Sequence, residues 1–125
     1  MEEWEFDFEW LRIQHLVKDA IQYDKLPDLQ SILFLIGIQE LGFVQKEFTK
    51  EEKQDLMHIA VCTLLSSDGY YAFKGLDQDG WPHFDQLRSI PEDGMQQQEQ
   101  LLKTKVIHYF RKMEAKSEAS DAQES

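Results

Sequence analysis

The sequence predicts a mainly α-helical, four-helix bundle-like domain with a small β-hairpin inserted before the last helix. Three observations carry this. The stretch Pro27–Gly42 is apolar with helix punctuation at both ends, three further segments space their apolar residues helically, and residues 70–87 are rich in turn residues and aromatics.

Residues 1–6 are expected to be loose. From about Asp7 to Asp24, Trp10, Ile13, Val17, Ala20 and Ile21 recur at helical spacing, with Arg12, Lys18 and Asp19 facing elsewhere. Lys25 and Leu26 are a short link, which implies an antiparallel neighbour. The next helix, about 27–41, is the expected axis of the bundle. Pro27 is tolerated in a first turn, Asp28 suits the positive end of the dipole, and Gly42 suits a left-handed cap. Ile32, Leu33, Phe34, Leu35, Ile36 and Ile38 point all around the cylinder, so the helix is either buried among others or in a membrane. The 16 residues from Pro27 to Gly42 give roughly 24 Å, short of a ~30 Å hydrocarbon core, which decides for burial. Gly37 weakens a helix interior by about 1 kcal/mol relative to Ala, and is expected to mark close approach of a neighbouring helix.

Thr49 followed by Glu52 reads as a capping box opening a helix over about 50–66. Leu56, Ile59, Ala60, Thr63 and Leu64 form its apolar stripe, and Asp68-Gly69 breaks it. Tyr70, Tyr71 and Phe73 favour extended structure, and Asp77-Gln78-Asp79-Gly80 is turn chemistry, so a hairpin is expected over about 70–87 with Gly80 left-handed. Pro82 then needs an edge or bulge position, and two strands alone must lean on the helices. After Ile90-Pro91 a last helix is expected over about 93–113, followed by a disordered acidic tail, 114–125; residues 1–113 are expected to form a single domain.

The net charge of −11 is concentrated at the ends, which hold nine of the 24 acidic residues and one base, leaving 15 acids against 12 bases in residues 10–113. Neither part has the basic footprint of a nucleic-acid or anionic-membrane binder. Cys62 is the only cysteine, which excludes an intrachain disulfide and fits a reducing compartment. The acidic start lacks a signal-peptide pattern, and no apolar run approaches a membrane span. A cytoplasmic location is expected, with no nucleic acid and no membrane as partner.

Two sets of residues could carry function. Glu51, Asp55, His58 and Cys62 share one stripe of the third helix, and Asp55-x-x-His58 puts a carboxylate and an imidazole on adjacent turns, as metal sites in helical bundles do. Only one such pair exists, so a solvated face competes with a divalent metal held by Glu51, Asp55 and His58; His15 with Asp19, Glu40, His83 and His108 are the other donors that could join. No cofactor is otherwise expected. The second set is Tyr70, Tyr71, Trp81 and His83, which concentrate amphipathic rings and an imidazole near the turn, and such groups recur at binding surfaces. The competing reading is that these rings fasten the hairpin to the helices.

Asp77-x-Asp79-Gly80 resembles the middle of a calcium loop, but Gly75 and Gln86 stand where acids are required, so it reads as a turn. A winged helix would expose the third helix to DNA, and Glu51, Glu52 and Asp55 there would repel phosphates. Phosphate-binding glycine loops, Gly-x-Ser-x-Gly, Cys-x-x-Cys and His-Glu-x-x-His are absent. Cys62 lies mid-helix, where nothing local activates a thiol.

The wording Lys50–Ala60 (K-E-E-K-Q-D-L-M-H-I-A), Gly75–His83 (G-L-D-Q-D-G-W-P-H) and Leu33–Gly42 (L-F-L-I-G-I-Q-E-L-G) resembles a family of small uncharacterised proteins from Bacteroidota, over roughly residues 25–112. The resemblance implies a bacterial cytosolic setting and no mechanism, and no functional residue carries over from it. The expected function is a non-enzymatic interaction or regulatory module that binds a protein partner or forms a homo-oligomer. The alternative is a metal- or small-ligand-binding protein using the Asp55/His58 face.

Overall fold

A computed structural model describes residues 2–43, 47–89 and 95–124. Its elements are α1 (Glu3–Ile21), α2 (Leu29–Leu41), α3 (Lys50–Ser66), β1 (Tyr71–Leu76), β2 (Pro82–Gln86) and α4 (Met95–Glu124). The protein is mainly helical, with a two-stranded antiparallel hairpin before the last helix, as the sequence predicts. The described chain divides into two compact units, 27–93 and 1–26 with 94–125. The division follows the packing: α2 lies on α3 and α3 on both strands, while α1 lies on α4.

In the 27–93 unit, the Asp28 carboxylate accepts the Ser31 N–H at 2.9 Å and caps α2. Pro27 therefore precedes the cap instead of occupying the first turn, because the cap falls where a side-chain acceptor can reach an orphan N–H. Gly42 closes the helix at φ 82°. Leu29, Ile32, Leu33, Ile36 and Leu41 are buried, as the all-round apolar pattern requires. Gly37 sits against α3 so closely that a Cβ there would stand 2.6 Å from the Leu56 carbonyl carbon.

The bounds of α3 are those read from sequence, and the capping box is complete: the Thr49 hydroxyl accepts the Glu52 N–H at 3.1 Å while the Glu52 carboxylate accepts the Thr49 N–H at 2.9 Å. Leu56, Ile59, Ala60, Leu64 and Leu65 are buried; Thr63, expected on that stripe, is half-buried. Leu41, Leu56 and Ile59 form a core on which Phe34, Ile38, Phe48, Trp81 and Phe84 pack. Phe48 links α2 to the hairpin, meeting Phe34 edge-on at 6.0 Å and Trp81 at 6.5 Å.

The hairpin pairs Tyr71 with Gln86, Phe73 with Phe84 and Leu76 with Pro82. The register slips between Phe73 and Gly75, where Gly75 takes φ 138°. Gly80 is left-handed at φ 85°, as expected. Pro82 opens β2, a position where its missing N–H is tolerated.

In the other unit, α1 begins at Glu3, so residues expected to be loose are helical; Glu3 and Glu5 in its first turn suit the positive dipole end. It ends at Ile21 with Gln22 left-handed at φ 55°, short of Asp24. Trp10, Ile13 and Val17 are buried, whereas Ala20 and Ile21 are exposed. Val106 and Ile107 on α4 are buried. Arg12 bridges Glu9 and Glu114, and Arg111 reaches Glu9 at 3.2 Å. The Arg12 hydrogen bond holds the Glu9 carboxyl below its usual range.

The expected start of the last helix, about Asp93, lies outside the described residues. At the other end α4 continues to Glu124, where a disordered tail is expected from Glu114 onward. No Gly or Pro follows Met113, and Ala115, Lys116, Ala119 and Ala122 are strong helix formers, so polarity alone misjudged this segment. Among the described residues no helix is long and apolar enough to cross a membrane.

Candidate functional site

The site is assembled from one helix face and one turn. On α3, Asp55 and His58 are exposed one turn apart, and His58 Nε2 lies 3.4 Å from Cys62 Sγ one turn further on. Cys62 faces inward and is fully buried, and burial pushes its thiol up to about 11. The Tyr71 ring on β1 meets the His58 ring edge-on at 6.2 Å and backs it from the hairpin side.

Asp77 organises the turn. One carboxylate oxygen accepts the Asp79 and Trp81 N–H groups at 2.9 and 3.0 Å, and the Asp77 N–H donates to the Trp81 carbonyl at 2.9 Å. The other oxygen lies 2.9 Å from His83 Nε2. The His83 hydrogen bond, followed by the Trp81 N–H, holds the Asp77 carboxyl below its usual range. One side chain thereby fixes the turn, the backbone of Trp81 and the His83 ring.

The two halves meet across a cleft of about 370 Å³ lined by Glu52, Asp55, His58, Trp81, His83 and Phe84, with Cys62, Asp77 and Asp79 completing the wall. Asp55 and His58 from one expected set thus join Trp81 and His83 from the other, and Tyr71 supports them. Glu51 is exposed on α3 and is not among the lining residues. Tyr70 is also elsewhere, beneath the Arg88 guanidinium at 4.3 Å. His15, Asp19 and His108 belong to the α1–α4 unit, and Glu40 lines a second cavity with Thr63, Phe73 and Leu76.

Four carboxylates and two imidazoles line the cleft without a Lys or Arg. Its potential is therefore negative, and its apolar wall comes from Trp81, Phe84 and Ile59. An imidazole whose Nε2 is held by a carboxylate keeps Nδ1 for a ligand proton or lone pair. Among the described residues no group of three or more His, Cys, Asp or Glu side chains is disposed to hold a metal ion. The donors form two pairs instead, His58 with Cys62 and His83 with Asp77.

The sequence marks Glu52 as a capping residue and Asp77 and Asp79 as turn residues, and singles out none of the three as a site residue. A clue was available for Asp77: a tight hairpin returns the chain so that residues flanking the turn face each other, which puts His83 within reach. Nothing comparable in the sequence brings α3 to the turn. No protein-family profile, curated protein or solved structure matches this chain.

Proposed function

We propose that this chain is a non-enzymatic binding module whose recognition site is the cleft between α3 and the hairpin, and that its ligand is a small organic cation. The observation that carries this reading is the joint lining of one cleft by Asp55, His58, Trp81 and His83, with Glu52, Asp77 and Asp79 and no Lys or Arg among the lining side chains. Concave sites with an apolar wall and a few converging polar groups are the usual form of small-ligand sites. A carboxylate wall favours an ammonium or amidinium, and an aromatic wall adds cation–π attraction. The resemblance to Bacteroidota proteins supports a bacterial cytosolic setting.

An amide chemical-shift titration with putrescine, agmatine and tetramethylammonium, against acetate and phosphate as anionic controls, tests it. Saturable shifts confined to residues 52–62 and 77–84 are expected with the cations at millimolar concentration, weakened by Asp55→Asn and by Asp79→Asn. Shifts with the anions alone, or none with any cation, would refute it.

A second reading, a protein partner or a second copy bound through the hairpin, is favoured by the exposure of Phe73 and Leu76 on β1 and of Leu87 just after β2. Light scattering on the wild type and on Phe73→Ser/Leu76→Ser distinguishes it. Concentration-dependent dimerisation abolished by that change supports self-association, and a strict monomer counts against it.

A further inference from the structure

Helix α1 carries two apolar faces. Trp10, Ile13 and Val17 are buried. Trp4, Phe8 and Leu11, at i, i+4 and i+7, are 69%, 62% and 45% exposed. At 3.6 residues per turn the exposed three fall within a sector of about 60°, whose centre lies roughly 150° from that of the buried three. Large aromatic side chains displayed in one row on a preformed helix are uncommon on a free surface and mark interaction sites. Their spacing is that of helices that lay one apolar face into a partner's groove.

The charge around this row selects the occupant. Residues 2–11 contain Glu2, Glu3, Glu5, Asp7 and Glu9 and no base. Helical geometry places Glu5 on one flank of the row and Asp7 on the other. The first cation in the chain, Arg12, is committed to Glu9 and Glu114. A second copy would bring five acids against five, and an anionic lipid surface would meet the same repulsion. An apolar groove edged by cations is complementary on both counts.

We infer that the amino-terminal half of α1 is a docking helix for a partner protein whose apolar groove is rimmed by Lys and Arg, with Trp4, Phe8 and Leu11 as its anchors. The helix is already formed, so binding orders side chains and little backbone. This surface is independent of the α3–hairpin cleft.

The test uses the full chain with photo-leucine at position 11, irradiated in a lysate of its source cells. The crosslinked protein is identified, produced pure and titrated against the unmodified chain. Expected are a saturable complex weakened by added salt, a crosslink inside an apolar groove edged by Lys or Arg, and loss of affinity of about tenfold or more with Trp4→Ala/Phe8→Ala. Glu5→Lys/Asp7→Lys, which leaves every apolar side chain in place, is expected to weaken the same complex. Circular dichroism of each variant checks that α1 persists, and the charge-reversal variant decides if the alanine variant loses helix. A crosslink only to a second copy, co-sedimentation with phosphatidylserine vesicles in place of a protein partner, affinities unchanged in the charge-reversal variant, or no crosslink above the dark control would each overturn the inference.

Discussion

Replacing Gly37 with Ala sets two effects of opposite sign against each other. Helix propensity favours the change, because Gly in a helix interior is about 1 kcal/mol less favourable than Ala. Packing opposes it. The new methyl carbon would stand 2.6 Å from the Leu56 carbonyl carbon and 3.0 Å from its Cα. The Leu56 carbonyl oxygen would stand closer still, and ordinary contact begins near 3.4 Å, so α2 and α3 must separate locally by at least about 0.8 Å. The obstacle is main chain and cannot rotate away. A gap of that size forfeits roughly a quarter to a half of the dispersion well for each atom pair it opens. Those pairs belong to the Leu41, Leu56 and Ile59 core. Overpacking typically costs about 1–3 kcal/mol, and a rigid backbone wall puts Gly37→Ala at the upper end. After the propensity gain, a net destabilisation of about 2 kcal/mol remains. Urea unfolding followed by far-UV circular dichroism measures it, with Gln39→Ala on the exposed side of α2 as the control expected to be near neutral. Leu56→Ala should not rescue Gly37→Ala, since trimming a side chain leaves the carbonyl in place. A Gly37→Ala protein as stable as the wild type, or more stable, would refute the close-approach argument.

Removing the cap acceptors by Thr49→Ala or Asp28→Ala is expected to lower stability by about 1 kcal/mol each, read by the same unfolding curves. The Cys62 thiol, raised from 9.0 to about 11, has about a hundredfold less thiolate at neutral pH, so a disulfide reagent should label it slowly in the folded protein and rapidly in urea. Unchanged labelling on unfolding would contradict its burial. The Asp77 carboxyl is held low in the folded state, so its stabilisation of the turn is fully present above the unfolded value of about 4 and is lost as pH falls through the lower folded value. Protection of the Asp79 and Trp81 amides, measured relative to their intrinsic exchange rates, should therefore fall on acidification below about pH 4, and Asp77→Asn should remove that change in protection. Protection in the wild type that ignores acid would count against the Asp77 hydrogen bonds.

Features decided within one or two helical turns were readable in advance. The Thr49–Glu52 box fixed the start of α3, Gly42 fixed the end of α2, and Gly80 fixed the turn, because each depends on an N–H, a carboxylate or a φ angle a few residues away. The first turns of α1 and the last turns of α4 were missed for a related reason. Residues 3–6, expected to be loose, and the small polar residues after Met113 carry adequate helix propensity and no breaker.

The candidate site was legible only as two unconnected halves. Residue types and the i, i+3 spacing singled out Asp55 with His58, and turn chemistry singled out Trp81 with His83. Their meeting in one cleft depends on the hairpin folding back over α3, a contact between segments some 20 residues apart that no local signal encodes. The same holds for Gly37, whose special role was suspected from an apolar helix but whose neighbour, the Leu56 carbonyl, could be named only from the packing of α2 on α3. By itself, then, the sequence determined where the helices lie, the capping box of α3, the end of α2 and the turn, through short-range hydrogen bonding and backbone preference. Tertiary structure alone decided the two compact units, the shared cleft and the exposed second face of α1, because burial and convergence depend on which distant segments pack together.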